Sequence, residues 1–277
     1  MENNKVEDLI KIMSDKLESI TKSYMEYKGM IDYIEMAECT SWLLDQVFGE
    51  GKYQLPIDIE KVVRYLEIEV AEINLNDDCD ENLRRNRIVG ELSIRPQIFS
   101  DGVAKRIYID SETTLYTQRY ALAHEMGHYL FNKNKMLFND EYCTMPMLPK
   151  DAEELVADAF AVSLLIPIKV FIKEFVHYLE AERTHGNLPI STEDWLQYLS
   201  TSSRVSSHYV ACGYQQLRCV AHWLFKYKSD KDKVVSMRGE EREILLMKLK
   251  EQEARYTVLT KDIEVWLTDE IVELLFQ

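Results

Sequence analysis

The stretch that most restricts how this chain can fold is Ala121-Leu122-Ala123-His124-Glu125-Met126-Gly127-His128-Tyr129-Leu130. Two histidines stand four residues apart, with a glutamate directly after the first. A spacing of four returns to nearly the same face of a helix, so both imidazoles can point at one ion. Glu125 falls about 100° further round, beside such an ion rather than under it. This spacing supplies two imidazole ligands and a carboxylate able to take a proton from metal-bound water. The flanks add a constraint. Ala121, Leu122, Met126, Tyr129, Leu130 and Phe131 make the helix apolar on most sides, so other elements must bury it. Buried imidazoles need polar partners, and one metal ion serves both.

A hydrolytic zinc site takes three protein ligands and keeps one position open for water. The third ligand is sought in Ala152-Glu153-Glu154-Leu155-Val156-Ala157-Asp158-Ala159-Phe160-Ala161. Glu154, Ala157, Asp158 and Ala161 form one stripe at i, i+3, i+4 and i+7. The alanines let a neighbouring helix come close, while Leu155, Val156, Phe160 and Leu164 bury other parts of the helix. Glu154 can then reach the ion. Asp158, one turn on, can accept the free ring N–H of a ligating histidine and set its tautomer. Glu153 is the alternative ligand, but it lies about 100° off the stripe. The competing reading makes Glu153, Glu154 and Asp158 the solvated face of an amphipathic helix. That reading weakens beside the paired histidines.

Composition narrows the function classes. The formal net charge of −15 over 277 residues repels phosphate backbones, which disfavours direct nucleic-acid binding. An apolar fraction of 46% supports a sizeable core. The first residues lack the apolar centre of a signal peptide, and no run of 18 apolar residues occurs. The five cysteines include no CxxC pair, so they read as free thiols of a reducing cytoplasm. Cys143 could cap a metal as thiolate; an ordinary loop thiol is the stronger reading.

The order of elements follows from periodicity. Residues 5–48 read as one long helix with apolar positions at Ile10, Met13, Leu17, Ile20, Tyr24, Tyr27, Ile31 and Ile34, alternating three and four apart. Such a seam can make a coiled-coil oligomer or pack on its own chain, and the polar breaks at Glu38 and Ser41 favour the second. Gly49 and Gly51 stop the helix. Asp58 caps a short helix to about Tyr65. Leu66–Val70, Ile88–Ile94 and Lys105–Asp110 read as strands, and Ser111 or Asp110 caps the histidine helix over about 113–131. Loops take 76–86 and 132–150. Helices follow from Asp151 to Leu165, over 168–183, after the capping sequence Ser191-Thr192-Glu193-Asp194, and from Val205 to about Tyr227. Residues 228–240 read as a charged linker, helical spacing returns over 241–255, and Ile263–Phe276 is ambiguous between helix and strand.

With the residues in place, the chain resembles a known family. His124-Glu125-Met126-Gly127-His128, with Arg119 upstream, is similar to the first motif of the ImmA/IrrE metallopeptidases. The stretch from Glu154 to Pro167 is similar to their second, with Asp158 where Asn is common and Ile166 where Met is. Pro56-Ile57-Asp58 fits the domain's usual beginning. The resemblance covers about residues 50–225. It implies an α+β, mainly helical zincin-like metallopeptidase fold with a small sheet. Outside the resemblance lie the long N-terminal helix and the end of the C-terminal helical region. The expected division is 1–50, 51–200 and 201–277. It also implies Zn2+ held by His124, His128 and Glu154, Glu125 as catalytic acid/base, and Asp158 behind a ligand. The activity implied is a cytoplasmic, prophage- or stress-related endopeptidase acting on a regulatory protein such as a helix-turn-helix repressor. Two other readings stand beside it. One is a regulatory binding protein whose metal only stabilises the fold. The other is a DNA-binding protein using Val205–Leu217 as recognition helix, which the acidic charge disfavours. For the oxyanion donor Tyr129, Tyr142 and His208 are considered and none is assigned. An extended substrate could add to an edge of the sheet, along Ile88–Ile94 or Lys105–Asp110.

Overall fold

The computed structural model describes residues 2–26, 31–73, 106–136, 150–186, 191–261, 263–268, 271 and 275. Its elements run α1 (Glu2–Glu26), α2 (Tyr33–Phe48), α3 (Ile59–Tyr65), β1 (Glu69–Ile73), β2 (Arg106–Asp110), α4 (Leu115–Met136), α5 (Lys150–Leu165), α6 (Ile168–His185), α7 (Thr192–Ser203), α8 (Ser207–Ser236) and α9 (Glu240–Thr260). A 3-10 turn, Glu264–Trp266, follows. The expected strand Ile88–Ile94, the loop 76–86, most of the loop 132–150, Cys79, Tyr142 and Cys143 lie outside the described residues.

The N-terminal region is two helices rather than one. The Asp32 carboxylate accepts hydrogen bonds from the N–H groups of Ile34 at 3.0 Å and Glu35 at 2.9 Å, so a new helix starts there. The first half of the heptad seam holds, while Tyr27 lies outside the described residues. Ile10, Met13, Leu17 and Ile20 are fully buried, and α1 packs on α2, α4 and α5. Each such side chain contributes about 1.5–3 kcal/mol on burial. The seam therefore backs the histidine helix within the same chain. Ser41, read as a polar break, is buried with Met36, Cys39, Leu43 and Leu44 on the inner face of α2. That face packs on α5, α8 and α9.

Asp58 caps α3 as expected, accepting from the Lys61 N–H at 2.9 Å. The strand after it begins later than the alternation suggested, at Glu69 rather than Leu66. The Leu66 N–H still bonds Val62 O at 3.0 Å, and the Ile68 N–H bonds Val63 O at 3.1 Å. Leu66 and Ile68 are thus buried by the helix exit, which imitates a period of two. β1 and β2 pair in parallel, with Val70 opposite Ile107 and Ile73 opposite Asp110. β2 packs on α4, so the small sheet leads into the histidine helix and lies against it. The cap of α4 is Thr114, whose hydroxyl accepts from the Thr117 N–H at 3.3 Å, and not Ser111 or Asp110.

The C-terminal half is more helical than expected. Residues 228–236 continue α8 and are no linker. Tyr227 and Val234, seven apart, are both buried, so the charges between them form the solvated face of a packed helix. The chain turns only over 237–239, with Gly239 at φ 80°. In the stretch compared to a DNA-recognition helix, Val205, Val210, Gly213, Tyr214, Gln216 and Leu217 are buried. Gln216 Nε2 donates to Ala159 O at 2.9 Å and lies 2.6 Å from Ser163 Oγ, tying α8 to α5. Buried apolar side chains from Leu9 to Leu275 form one contiguous cluster. Among the described residues, no single helix is long and apolar enough to cross a membrane.

Candidate metal centre

Helix α4 carries its apolar residues inward on most sides. Leu122, Ala123, Met126, Tyr129 and Leu130 are all buried, against α1, α3, α5 and β2. The remaining stripe, Tyr120, His124 and His128, has the i, i+4 spacing that keeps side chains on one face. It meets the acidic stripe of α5. On that helix Val156, Phe160 and Leu164 are buried as expected, whereas Leu155 is 42% exposed. Glycine sets the approach of the two helices. A Cβ on Gly127 would stand 3.1 Å from Ala157 Cα and 3.3 Å from Phe160 Cδ1. Ala157 and Ala161 are both buried.

Across this contact the ligand atoms converge. Nε2 of His124 and of His128 are 2.9 Å apart. Glu154 Oε2 lies 3.3 Å from the first and 3.4 Å from the second. A tetrahedral zinc with bonds of ~2.0–2.1 Å separates its ligand atoms by roughly 3.3–3.4 Å. The two carboxylate distances meet that value, and the imidazole pair needs to part by only a few tenths of an ångström. Among the described residues, His124, His128 and Glu154 are the one group of three or more metal-type ligands close enough to share an ion. The residues present therefore fit a divalent ion of zinc type.

The other nitrogen of His124 is accounted for. Nδ1 lies 2.8 Å from Asp158 Oδ1. Donation there leaves, on the neutral ring, a lone pair at Nε2, the atom facing His128 and Glu154. The same Asp158 oxygen accepts the Tyr120 hydroxyl at 2.9 Å. Electrostatics follow the geometry. Burial pulls the His124 pKa down, but hydrogen bonds to Asp158 and Glu154 outweigh it and raise it to about 9. Those to His124 and His128 hold the Glu154 carboxyl far below its usual range. The cluster thus sets the carboxyl groups of Glu154 and Asp158 against the two imidazoles.

Glu125 follows His124 and is 2% exposed, walled off from bulk water. Arg119, upstream, is a structural clamp. Its Nη2 donates to Ile57 O at 2.6 Å and reaches Ser203 O at 3.5 Å, joining α4 to the entry of α3 and the end of α7. Tyr129 is buried, and the charges on its phenol after burial are those of Glu67 and Glu7, on the side of α4 turned to α1. His208 is exposed on the first turn of α8, with Nε2 3.9 Å from Cys212 Sγ. Cys39 is buried and its thiol is pushed up to about 12 by burial, so it stays a thiol.

Three residues at this centre were not singled out from the sequence. Tyr120 was within reach of the argument, being one turn before His124 on the same face. Gly127 could have been read as the partner of the alanine stripe. Tyr209 carried no local signal. Its ring stacks on Tyr120 at 3.7 Å between centroids and 6° between planes, and it comes from α8, 89 positions later in the chain than its partner.

Neither a curated protein nor a solved structure matches the chain. A family model does, over residues 68–193, which run from the entry of β1 to the first turn of α7 and make up somewhat less than half of the chain. The stretch that holds the histidine helix and the acidic stripe is thus similar to the IrrE N-terminal-like domain of the peptidase M78 family.

Proposed function

We propose that this protein is a zinc-dependent endopeptidase that hydrolyses a peptide bond in a regulatory protein. The observation that carries the reading is the convergence of His124 Nε2, His128 Nε2 and Glu154 Oε2, with Asp158 behind His124. These three would hold the ion. A divalent ion held there supplies Lewis-acid activation of water and of the scissile carbonyl. Asp158 keeps the His124 ring in the tautomer that presents Nε2. Glu125 takes the proton of the attacking water and passes it to the leaving amine. Its place directly after His124 on the same helix, buried beside the candidate ligands, supports that role. The family match supports the reaction class. The regulatory substrate rests on the motif resemblance, with a helix-turn-helix repressor as the first candidate.

The test is Glu125→Gln in the full chain, mixed with the products of neighbouring genes. Cleavage present in the parent and abolished in the variant, at unchanged zinc affinity, is the expected result. Zinc binding in both proteins, together with a biological effect that survives Glu125→Gln and is lost only on metal removal, would replace this reading. The protein would then be a metal-stabilised regulatory protein without hydrolytic action.

A further inference from the structure

The geometry points to Tyr120 as a positioning residue of the metal centre: its hydroxyl pins the Asp158 carboxylate, which in turn orients His124. The inference rests on the metal reading of the His124–His128–Glu154 cluster. Tyr120 and His124 are one turn apart on α4, and both address the same oxygen, Asp158 Oδ1, at 2.9 and 2.8 Å. Asp158 needs such a hold. Its side chain is 49% exposed, so a carboxylate held by His124 alone could turn towards water. Two donors from one rigid helix, meeting on one oxygen, remove that freedom.

Tyr120 is suited to the task. It is 7% exposed, and burial and then the Asp158 charge keep its phenol protonated, as a donor must be. Its ring is fixed by the Tyr209 stack. Tyr209 lies on α8, outside residues 68–193, so the chain of contacts ends on an element that the family model does not cover. The docking of α8 thereby reaches the metal through Tyr209, Tyr120, Asp158 and His124 in turn.

Tyr120→Phe deletes one oxygen and keeps the stacked ring. Zinc affinity is measured on the full chain by competition with a chromophoric chelator, in the parent, Tyr120→Phe, Asp158→Ala and the double variant. Tyr120→Phe should weaken zinc binding ~3–10-fold, less than the loss of an inner partner such as Asp158. In the Asp158→Ala background it should change nothing, because its route to the metal is already cut. A general loss of packing would instead weaken binding equally in both backgrounds. Tyr209→Leu, which removes the stack and leaves the hydroxyl, should give a smaller loss with the same dependence on Asp158. Parent-like affinity in Tyr120→Phe, or an equal loss with and without Asp158, overturns the inference and leaves the metal reading intact. Failure of the parent itself to bind zinc overturns both.

Discussion

Gly127→Ala tests whether the close approach of α4 and α5 builds the metal centre. The added methyl would meet Ala157 Cα at 3.1 Å, Phe160 Cδ1 at 3.3 Å and Ala157 Cβ at 3.4 Å. Two of these atoms belong to Ala157, one of them backbone, so no rotamer change relieves the contact. The helices must part by a few tenths of an ångström. Overpacking of this kind costs about 1–3 kcal/mol. Replacing glycine by alanine inside a helix returns about 1 kcal/mol. The net expectation is a loss of roughly 1 kcal/mol in the metal-free protein, or about 2–4 °C in Tm. The effect on the metal is separate. Ala157 lies between Glu154 and Asp158 on the stripe, so its displacement carries both carboxylates away from the imidazoles. Metal–ligand distances tolerate only ~0.2 Å, while the half-exposed Glu154 side chain can follow part of the shift. A ~3–10-fold weaker zinc affinity follows, which is about 0.7–1.4 kcal/mol. Urea unfolding without metal and chelator competition with zinc read the two terms independently. A variant stabilised by the whole helix-propensity gain, with parent-like zinc affinity, would refute the close contact and its role in placing the ligands.

Two further outcomes follow from the electrostatics and the clamp. In the metal-free protein the raised His124 pKa contributes stability that is fully present below 6.5 and is lost as pH rises through about 9. The lowered Glu154 pKa contributes stability present above 4.5 and lost as pH falls through its folded-state value. The stability gap between the parent and His124→Gln should therefore be widest between about 4.5 and 6.5 and shrink above 9; a gap independent of pH from 6 to 10 would contradict the assignment. Arg119→Met removes the guanidinium that holds Ile57 O and Ser203 O, and hydrogen bonds to charged groups are worth ~1.5–3 kcal/mol. Unfolding free energy should fall by about that much with zinc affinity nearly unchanged, whereas a change under ~0.5 kcal/mol would deny the clamp.

The sequence by itself determined the ligand-bearing faces. Helical periodicity puts His124 and His128 on one side of α4 and Glu154 and Asp158 on one stripe of α5, and the apolar flanks require both helices to be buried. The caps at Asp58 and Ser191 and the stop at Gly49 were legible for the same reason, since each is a contact within a few residues. Where reading failed, a local pattern had more than one physical cause. Alternation at Leu66 and Ile68 came from a helix exit, charge at 228–236 from the solvated side of a long helix, and the seam of residues 5–48 ran across a new cap at Asp32. Only the tertiary structure decided which surfaces those faces meet. It turned the α1 seam onto the back of the histidine helix, brought Gly127 against Ala157, and laid Tyr209 of α8 on Tyr120. These are contacts between distant parts of the chain, chosen by shape and burial across the whole core, and no window of sequence contains both partners.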